Sequence, residues 1–314
     1  MTKAKRMGYA IVAIVLSLTL ALGILGTVKH YLGIADTGLK DTLTDGLGKE
    51  ATVIFLAGQS NAAGCSRDEY LKKTVSPEKY AEYERGYDNV YINYFASGTN
   101  QSDGFVKCAA RQGEFGKFFG PELGLAEWLN ENHPDKIFFI IKYAWGGTNL
   151  YEQWLSPTSG TEGPLYHSFV EYAKTSIRYL SQKNYRVNIE AMCWMQGEAD
   201  SMDASTTAAY ADNLSNFIHD IRGEFSNHAS GDGIAFVDAY IADSFFWTHY
   251  AALNEAKQAV ADASPSNVAI DTIAHGLSVT GEPEGEPDIA HYDSLSELKL
   301  GHLFAEALSS FFDK

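Results

Sequence analysis

The sequence predicts an α/β fold in three layers, with helices covering both faces of a parallel central sheet. Two observations predict it. Apolar runs of strand length alternate with longer amphipathic stretches of helical period. The short runs are also apolar nearly throughout, not at every second residue, which is how strands covered on both faces read.

Strands are expected at residues 52–57, 89–94, 137–142, 188–195, 233–238 and 267–271, and helices at 121–132, 164–183, 204–225, 249–261 and 295–312. The first strand, Thr-Val-Ile-Phe-Leu-Ala, runs straight into Gly58-Gln59-Ser60-Asn61. The first long helix opens on Pro121 with Glu122 beside it, an ordinary initiation. The third and fourth strands lead into Gly146-Gly147 and Gln196-Gly197. In the last helix, Ser294 through Glu297 fits a capping box, and Leu300, Leu303, Phe304, Ala307, Leu308 and Phe311 form one apolar stripe. There is no internal repeat and no low-complexity tract.

The chain has 314 residues, 45% apolar and 20% charged, a composition that folds. Its 24 bases and 40 acids give a net charge of −16. Residues 1–35 hold four bases (Lys3, Lys5, Arg6, Lys29) and no acid, so the remainder stands at −20. Such a body repels phosphate backbones, which argues against nucleic acid as a partner. Three cysteines rule out a disulfide scaffold. Cys193, inside a strand, reads as a small buried hydrophobe. Extracellular pairing of Cys65 with Cys108 stays open, without support from spacing.

Residues 7–28 carry no charge over 22 positions and follow three bases. This pattern is an export signal or a membrane anchor, and its length favours an uncleaved anchor. The charge asymmetry favours the N-terminus inside and the body outside, either secreted or held on the outer face of the membrane. The organisation expected is therefore a signal or anchor at 1–30, a linker at 31–50 and one domain at 51–314.

Ser60 stands at the carboxyl end of the first strand, where open α/β sheets place ligands. The turn is not the G-x-S-x-G elbow, because Ala62 replaces the last glycine. An N-cap serine is the competing reading. Near the other end lies Asp288-Ile289-Ala290-His291. Residues i and i+3 of a turn can face each other, so Asp288 can hold Nδ1–H of His291 and leave Nε2 as a base toward a serine. Gly147 N–H and the Gln196 amide are candidate donors to a developing oxyanion. None of the eight other histidines has such an arrangement in the sequence, and no H-E-x-x-H or Cys/His cluster suggests a metal.

Taken together, segments 55–64, 119–122, 146–148, 194–200 and 288–291 resemble the SGNH hydrolase superfamily. Within it they resemble the sialate O-acetylesterase domain and carbohydrate esterase family 6, the acetyl xylan esterases. G-Q-S-N and W-x-Q-G-E-x-D are the specific parts. The resemblance implies a flavodoxin-like three-layer SGNH fold and a serine esterase that removes acetyl groups from carbohydrates without a cofactor or metal. By position it makes Ser60 the nucleophile and His291 the base, with Ser60 N–H, Gly147 N–H and Gln196 as oxyanion donors. SGNH enzymes generally place an asparagine third; this branch offers a glutamine. Asp288 is the preferred partner of His291 because it is close in sequence, and Glu198 is the alternative. Trp145, Tyr151 and Trp154 flank the glycine loop, to stack on sugars or to fill the core. Two other functions stay open: an O-acetyltransferase on a surface glycan, which shares the acyl-enzyme, and a glycan-binding module without turnover.

Overall fold

The computed structural model describes residues 36–229 and 233–312. The apolar segment 7–28 lies outside the described residues, and so does its reading as an anchor. Among the described residues no helix is long and apolar enough to cross a membrane. Residues 36–39 have no regular structure, and a compact unit begins at Lys40. The stretch expected to be a tether packs on this unit from Lys40 onward. Thr42 N–H donates to the Tyr179 hydroxyl at 3.0 Å, and Leu43 is buried.

Six parallel strands build the main sheet: β1 (Glu50–Gly58), β2 (Val90–Ala96), β3 (Phe138–Ala144), β4 (Arg186–Met195), β5 (Ala235–Ala239) and β6 (Asn267–Ile270). Their order is β6-β5-β4-β1-β3-β2, with Asn100–Gln101 and Val106–Lys107 antiparallel on β2. Each expected strand is present to within two residues at either end. That β3 lies between β2 and β1 is a detail the alternation of elements does not determine. The helices are α1 (Asp68–Thr74), α2 (Pro77–Arg85), α3 (Glu122–Asn132), α4 (Pro164–Gln182), α5 (Ala204–Glu224), α6 (Tyr250–Asp262) and α7 (Ser294–Ser309). The sequence reading omitted α1 and α2, which are short and mostly polar outside a few buried positions.

Lys142 and Tyr143 show the three layers. Successive residues of a strand point to opposite faces. Lys142 Nζ meets a carboxylate oxygen of Glu122, at the start of α3, at 2.7 Å, and both side chains are fully buried. The Tyr143 ring lies 5.5 Å from that of Tyr172 in α4. So α3, with α7 packed on it, covers one face, and α4 covers the other. The α4 face carries an aromatic core. Phe55 of β1 meets Phe169 at 5.4 Å and Phe225 at 4.9 Å, and Trp194 of β4 meets Phe217 of α5 at 4.7 Å. Burying each such ring contributes about 1.5–3 kcal/mol.

The start of α7 differs from the capping box. Ser294 Oγ donates to Glu282 Oε1 at 2.7 Å, and Glu282 Oε2 accepts from Ser294 N–H at 2.8 Å. The first-turn amide is thus satisfied by a carboxylate from a preceding loop. The stripe itself forms: Leu300, Leu303, Phe304 and Leu308 are buried.

Because the main strands are parallel, the carboxyl ends of β1, β3, β4 and β5 share one rim. The loops after them carry Ser60, Gly147, Gln196 and residues 240–249.

Candidate active site

Ser60 opens the short helix Ser60–Ala63 directly after β1. Gly58 makes this possible: its φ is +142°, and a Cβ there would collide with the Met195 carbonyl oxygen of β4. The serine turn therefore packs hard against the turn that carries Gln196. Ser60 is half-buried, and its N–H lies in the first turn of a helix, which has no intrahelical acceptor.

His291 and Asp288 are paired: Nδ1 and Oδ2 are 2.8 Å apart, with His291 24% and Asp288 39% exposed. The hydrogen bond to His291 holds the Asp288 carboxyl below its ordinary range. Among the described residues no hydrogen bond joins Ser60 Oγ to His291 Nε2; free sites are often loose in this respect and tighten with substrate. What joins the two loops is the neighbouring residue of each. Tyr292 N–H donates to Asn61 Oδ1 at 3.2 Å, and Ser66 Oγ donates to the Tyr292 carbonyl at 2.6 Å.

Glu198 sits behind this tie. Its Oε1 accepts from Asn61 Nδ2 at 2.7 Å, the residue is 1% exposed, and Oε2 has no hydrogen-bond partner. Burial pushes its pKa up, against the opposing pull of its hydrogen bonds and of the charges of Lys257 and His291. Of the two acids considered for His291, Asp288 makes the contact, while Glu198 orients Asn61. Deeper still, Lys257 and Asp238 form a buried pair at 2.6 Å, and burial raises Asp238 to about 6.

Gln196 is not brought forward as a free donor. It is fully buried; its Nε2 lies 2.6 Å from Asp200 Oδ2 and 3.0 Å from the Thr148 carbonyl, and its Oε1 accepts from Tyr210 OH at 3.0 Å. Both amide hydrogens therefore have acceptors already. Asp200 also accepts from Leu150 N–H at 2.9 Å and Tyr151 N–H at 3.1 Å. Gln196 and Asp200 thus bind the glycine loop after β3 to the turn after β4. Gln59, which sequence reasoning passed over, has the free amide. Its Oε1 accepts from Ala199 N–H at 3.3 Å and Gly197 N–H at 3.4 Å, while its Nε2 has no acceptor among the described residues. Only the flanking G-x-S of the motif pointed to it.

Gly147 has φ +70° and open space where a Cβ would stand. Its loop is set by a relay also missed in the sequence: Gly146 N–H donates to Ser97 Oγ at 2.8 Å, and Ser97 Oγ donates to Glu114 Oε1 at 2.6 Å. Ser97 adopts φ +50° to do this, a conformation that costs a non-glycine residue about 1–3 kcal/mol.

Glu122 of the Phe-Gly-Pro-Glu segment takes Gly120 N–H at 2.9 Å as well as Lys142, so it is a structural anchor under the serine turn. Trp154 is core, its Nε1 donating to Thr148 Oγ1 at 2.9 Å, whereas Trp145 and Tyr151 stay 38% and 42% exposed on the rim. Cys65, Cys108 and Cys193 are all free thiols; Cys193 is fully buried. Other histidines meet carboxylates as well: among the described residues His167 lies against Glu162 and His302 against Glu127, each at 2.8 Å. Sequence spacing hid both: the first lies five residues apart and the second joins α7 to α3.

Residues 50–310 match the family described as carbohydrate esterase, sialic acid-specific acetylesterase. No curated protein matches the sequence. Among solved structures, NanS is 16% identical with a TM-score of 0.62, over 86% of this chain and 99% of NanS. A protein from Arabidopsis thaliana is 18% identical with a TM-score of 0.59, over 83% of this chain and 98% of that one. A carbohydrate acetylesterase from Xanthomonas citri is 17% identical with a TM-score of 0.51, over 83% of this chain and 56% of that one. These likenesses show a shared fold. The family match spans the sheet, the serine turn and the histidine turn alike, and on that ground the chain belongs to the sialic acid-specific acetylesterase family of carbohydrate esterases and is a carboxylic-ester hydrolase.

Proposed function

We propose that this esterase removes acetyl groups from acetylated glycans through an acyl-enzyme on Ser60. The observation that carries the reading is the His291–Asp288 pair at 2.8 Å on a loop bonded to the residue after Ser60. His291 Nε2 takes the Ser60 proton as Oγ bonds to the acetyl carbon. The carbonyl oxygen becomes an oxyanion, held by Ser60 N–H, Gly147 N–H and the Gln59 amide; each such donor lowers the barrier by about 3 kcal/mol. Collapse breaks the bond to the sugar oxygen, which leaves with the proton from His291. Water then attacks the acetyl carbon while His291 takes its proton; collapse breaks the bond to Ser60 Oγ, which receives that proton from His291, and acetate departs. The step needs no cofactor.

Replacing Ser60 with Ala is expected to abolish acetate release from acetylated xylan and from 4-nitrophenyl acetate. Near-normal turnover would overturn the nucleophile assignment. A product analysis with a donor ester and a free sugar separates hydrolysis from transfer, since transfer gives acetylated sugar in place of acetate. Location belongs to the same proposal: the uncharged run at 7–28, with three bases before it, supports an enzyme working outside the membrane. Fractionating cells that express the full chain tests this, and cytoplasmic recovery of the whole chain would contradict it.

A further inference from the structure

Beyond the serine turn, the rim carries a concave surface. A cavity of about 400 Å³ lies between the loop after β5 and residues 277–280. One wall is Ile289, which sits inside the Asp288–His291 turn, so the cavity adjoins the histidine loop directly. Phe245 forms an edge and is 80% exposed; its ring stacks on that of Phe246, also exposed, at 4.6 Å. Asp243, Ser278 and Thr280 supply oxygens to the lining. The lining contains no lysine or arginine, and Asp243 has no ion-pair partner among the described residues.

We propose that this cavity is a subsite for an uncharged sugar unit of the chain whose acetyl group reaches Ser60, so that the substrate is an oligosaccharide or polymer and not a lone acetylated monosaccharide. The proposal rests on the esterase reading above and deepens it. Three features select this occupant. Aromatic faces left in water beside hydroxyl and carboxylate oxygens are the chemistry that holds a pyranose, with apolar C–H faces on the rings and hydroxyls on the oxygens. A carboxylate without an ion-pair partner, on a body of net negative charge, disfavours an anionic sugar at this place. The place also suits a neighbouring sugar unit: the loop after β5 leaves the same rim as the serine turn, two strands away, and the cavity wall includes Ile289 of the Asp288–His291 turn.

The test compares acetylated xylo-oligosaccharides of increasing length, an acetylated monosaccharide and 4-nitrophenyl acetate, using the wild type and F245A/F246A. Both rings are exposed, so the substitution leaves the core intact, and the nitrophenyl ester reports whether the catalytic centre survives. In the wild type kcat/KM is expected to rise about tenfold with chain length, mainly through KM, and the variant to lose that gain while its nitrophenyl ester rate stays within about twofold. Equal chain-length dependence in both proteins, or none in the wild type, overturns the subsite and leaves the esterase standing. Preference for an anionic oligomer over a neutral one of equal length overturns the charge assignment. Loss of all ester hydrolysis in the wild type would instead remove the esterase reading, and the subsite with it.

Discussion

Asn61 and Tyr292 join the two halves of the candidate site: the backbone N–H of Tyr292 reaches the Asn61 side-chain oxygen at 3.2 Å, across 231 positions of sequence. Asn61 follows the proposed nucleophile, and Tyr292 follows the proposed base. The Asn61 amide is itself held by Glu198 at 2.7 Å. One amide thus fixes which part of the serine turn the histidine loop meets.

Asn61→Ala is therefore expected to act on rate and stability together. It leaves the Glu198 carboxylate and Tyr292 N–H unpaired in a buried place, a loss of about 1–3 kcal/mol. With the loop no longer registered, kcat should fall by about 10²-fold, as small misplacements of reacting groups do. Urea unfolding and steady-state kinetics on the same preparation check both numbers. Unchanged kcat in a folded variant would show that the tie does not position the base.

The two acids should separate in the same assay. Asp288→Asn replaces the carboxylate with an amide that can present N–H to His291 Nδ1 and hold the wrong tautomer, and is expected to cut kcat by roughly 10²–10⁴-fold. Glu198→Gln keeps an oxygen for Asn61 and should cost about tenfold or less. The reverse ranking in kcat would hand the role to Glu198.

Gln59 and Gln196 offer a parallel contrast. Gln59→Ala removes the amide with no acceptor beside the serine and should lower kcat by about 10²-fold; it also strands the N–H groups of Gly197 and Ala199, a stability loss of about 1–3 kcal/mol. Gln196→Ala strands Asp200, Tyr210 and the Thr148 carbonyl, and should chiefly lower stability, by about 2–4 kcal/mol. If kcat falls steeply for Gln196→Ala while its unfolding midpoint is unmoved, Gln196 is the third donor after all.

Acid stability has its own source, away from the site. Burial alone would raise the Glu127 carboxyl, but hydrogen bonds from His302, Lys79 and Tyr83 outweigh it and bring its pKa to about 2 from 4.5. A carboxyl depressed in the folded state stabilises above its unfolded value and loses that contribution as pH falls from 4.5 toward 2. Glu127→Gln should thus destabilise by up to about 3 kcal/mol at neutral pH, with the gap to wild type closing through this window. Thermal unfolding at pH 7, 4 and 3 measures it; a gap independent of pH would contradict the linkage.

The sequence carried the sheet because both-face burial leaves uninterrupted apolar runs, and these are visible without partners. The positions of Ser60 and Gly147 after strand ends and the contact of Asp288 with His291 were legible for a related reason: each lies in a short local pattern, a strand end or an i, i+3 turn. Three things could not be seen. Ser97 and Glu114 belong to no motif, and only the fold puts them under Gly146. The duties of Gln59 and Gln196 depend on which carbonyls and carboxylates surround each amide, not on spacing. Ser294 opens its helix with Glu282, an acid from another loop, where local spacing offered Glu297.

Rapid quench of the enzyme with 4-nitrophenyl acetate, followed by peptide mass analysis, tests the central claim most directly. The account predicts one acetyl group on the peptide carrying Ser60, formed more slowly in His291→Ala, which lacks the base for acylation as well as for deacylation. Acetate released at the normal rate with Ser60 unmodified at every time point, and undiminished in Ser60→Ala, would contradict it.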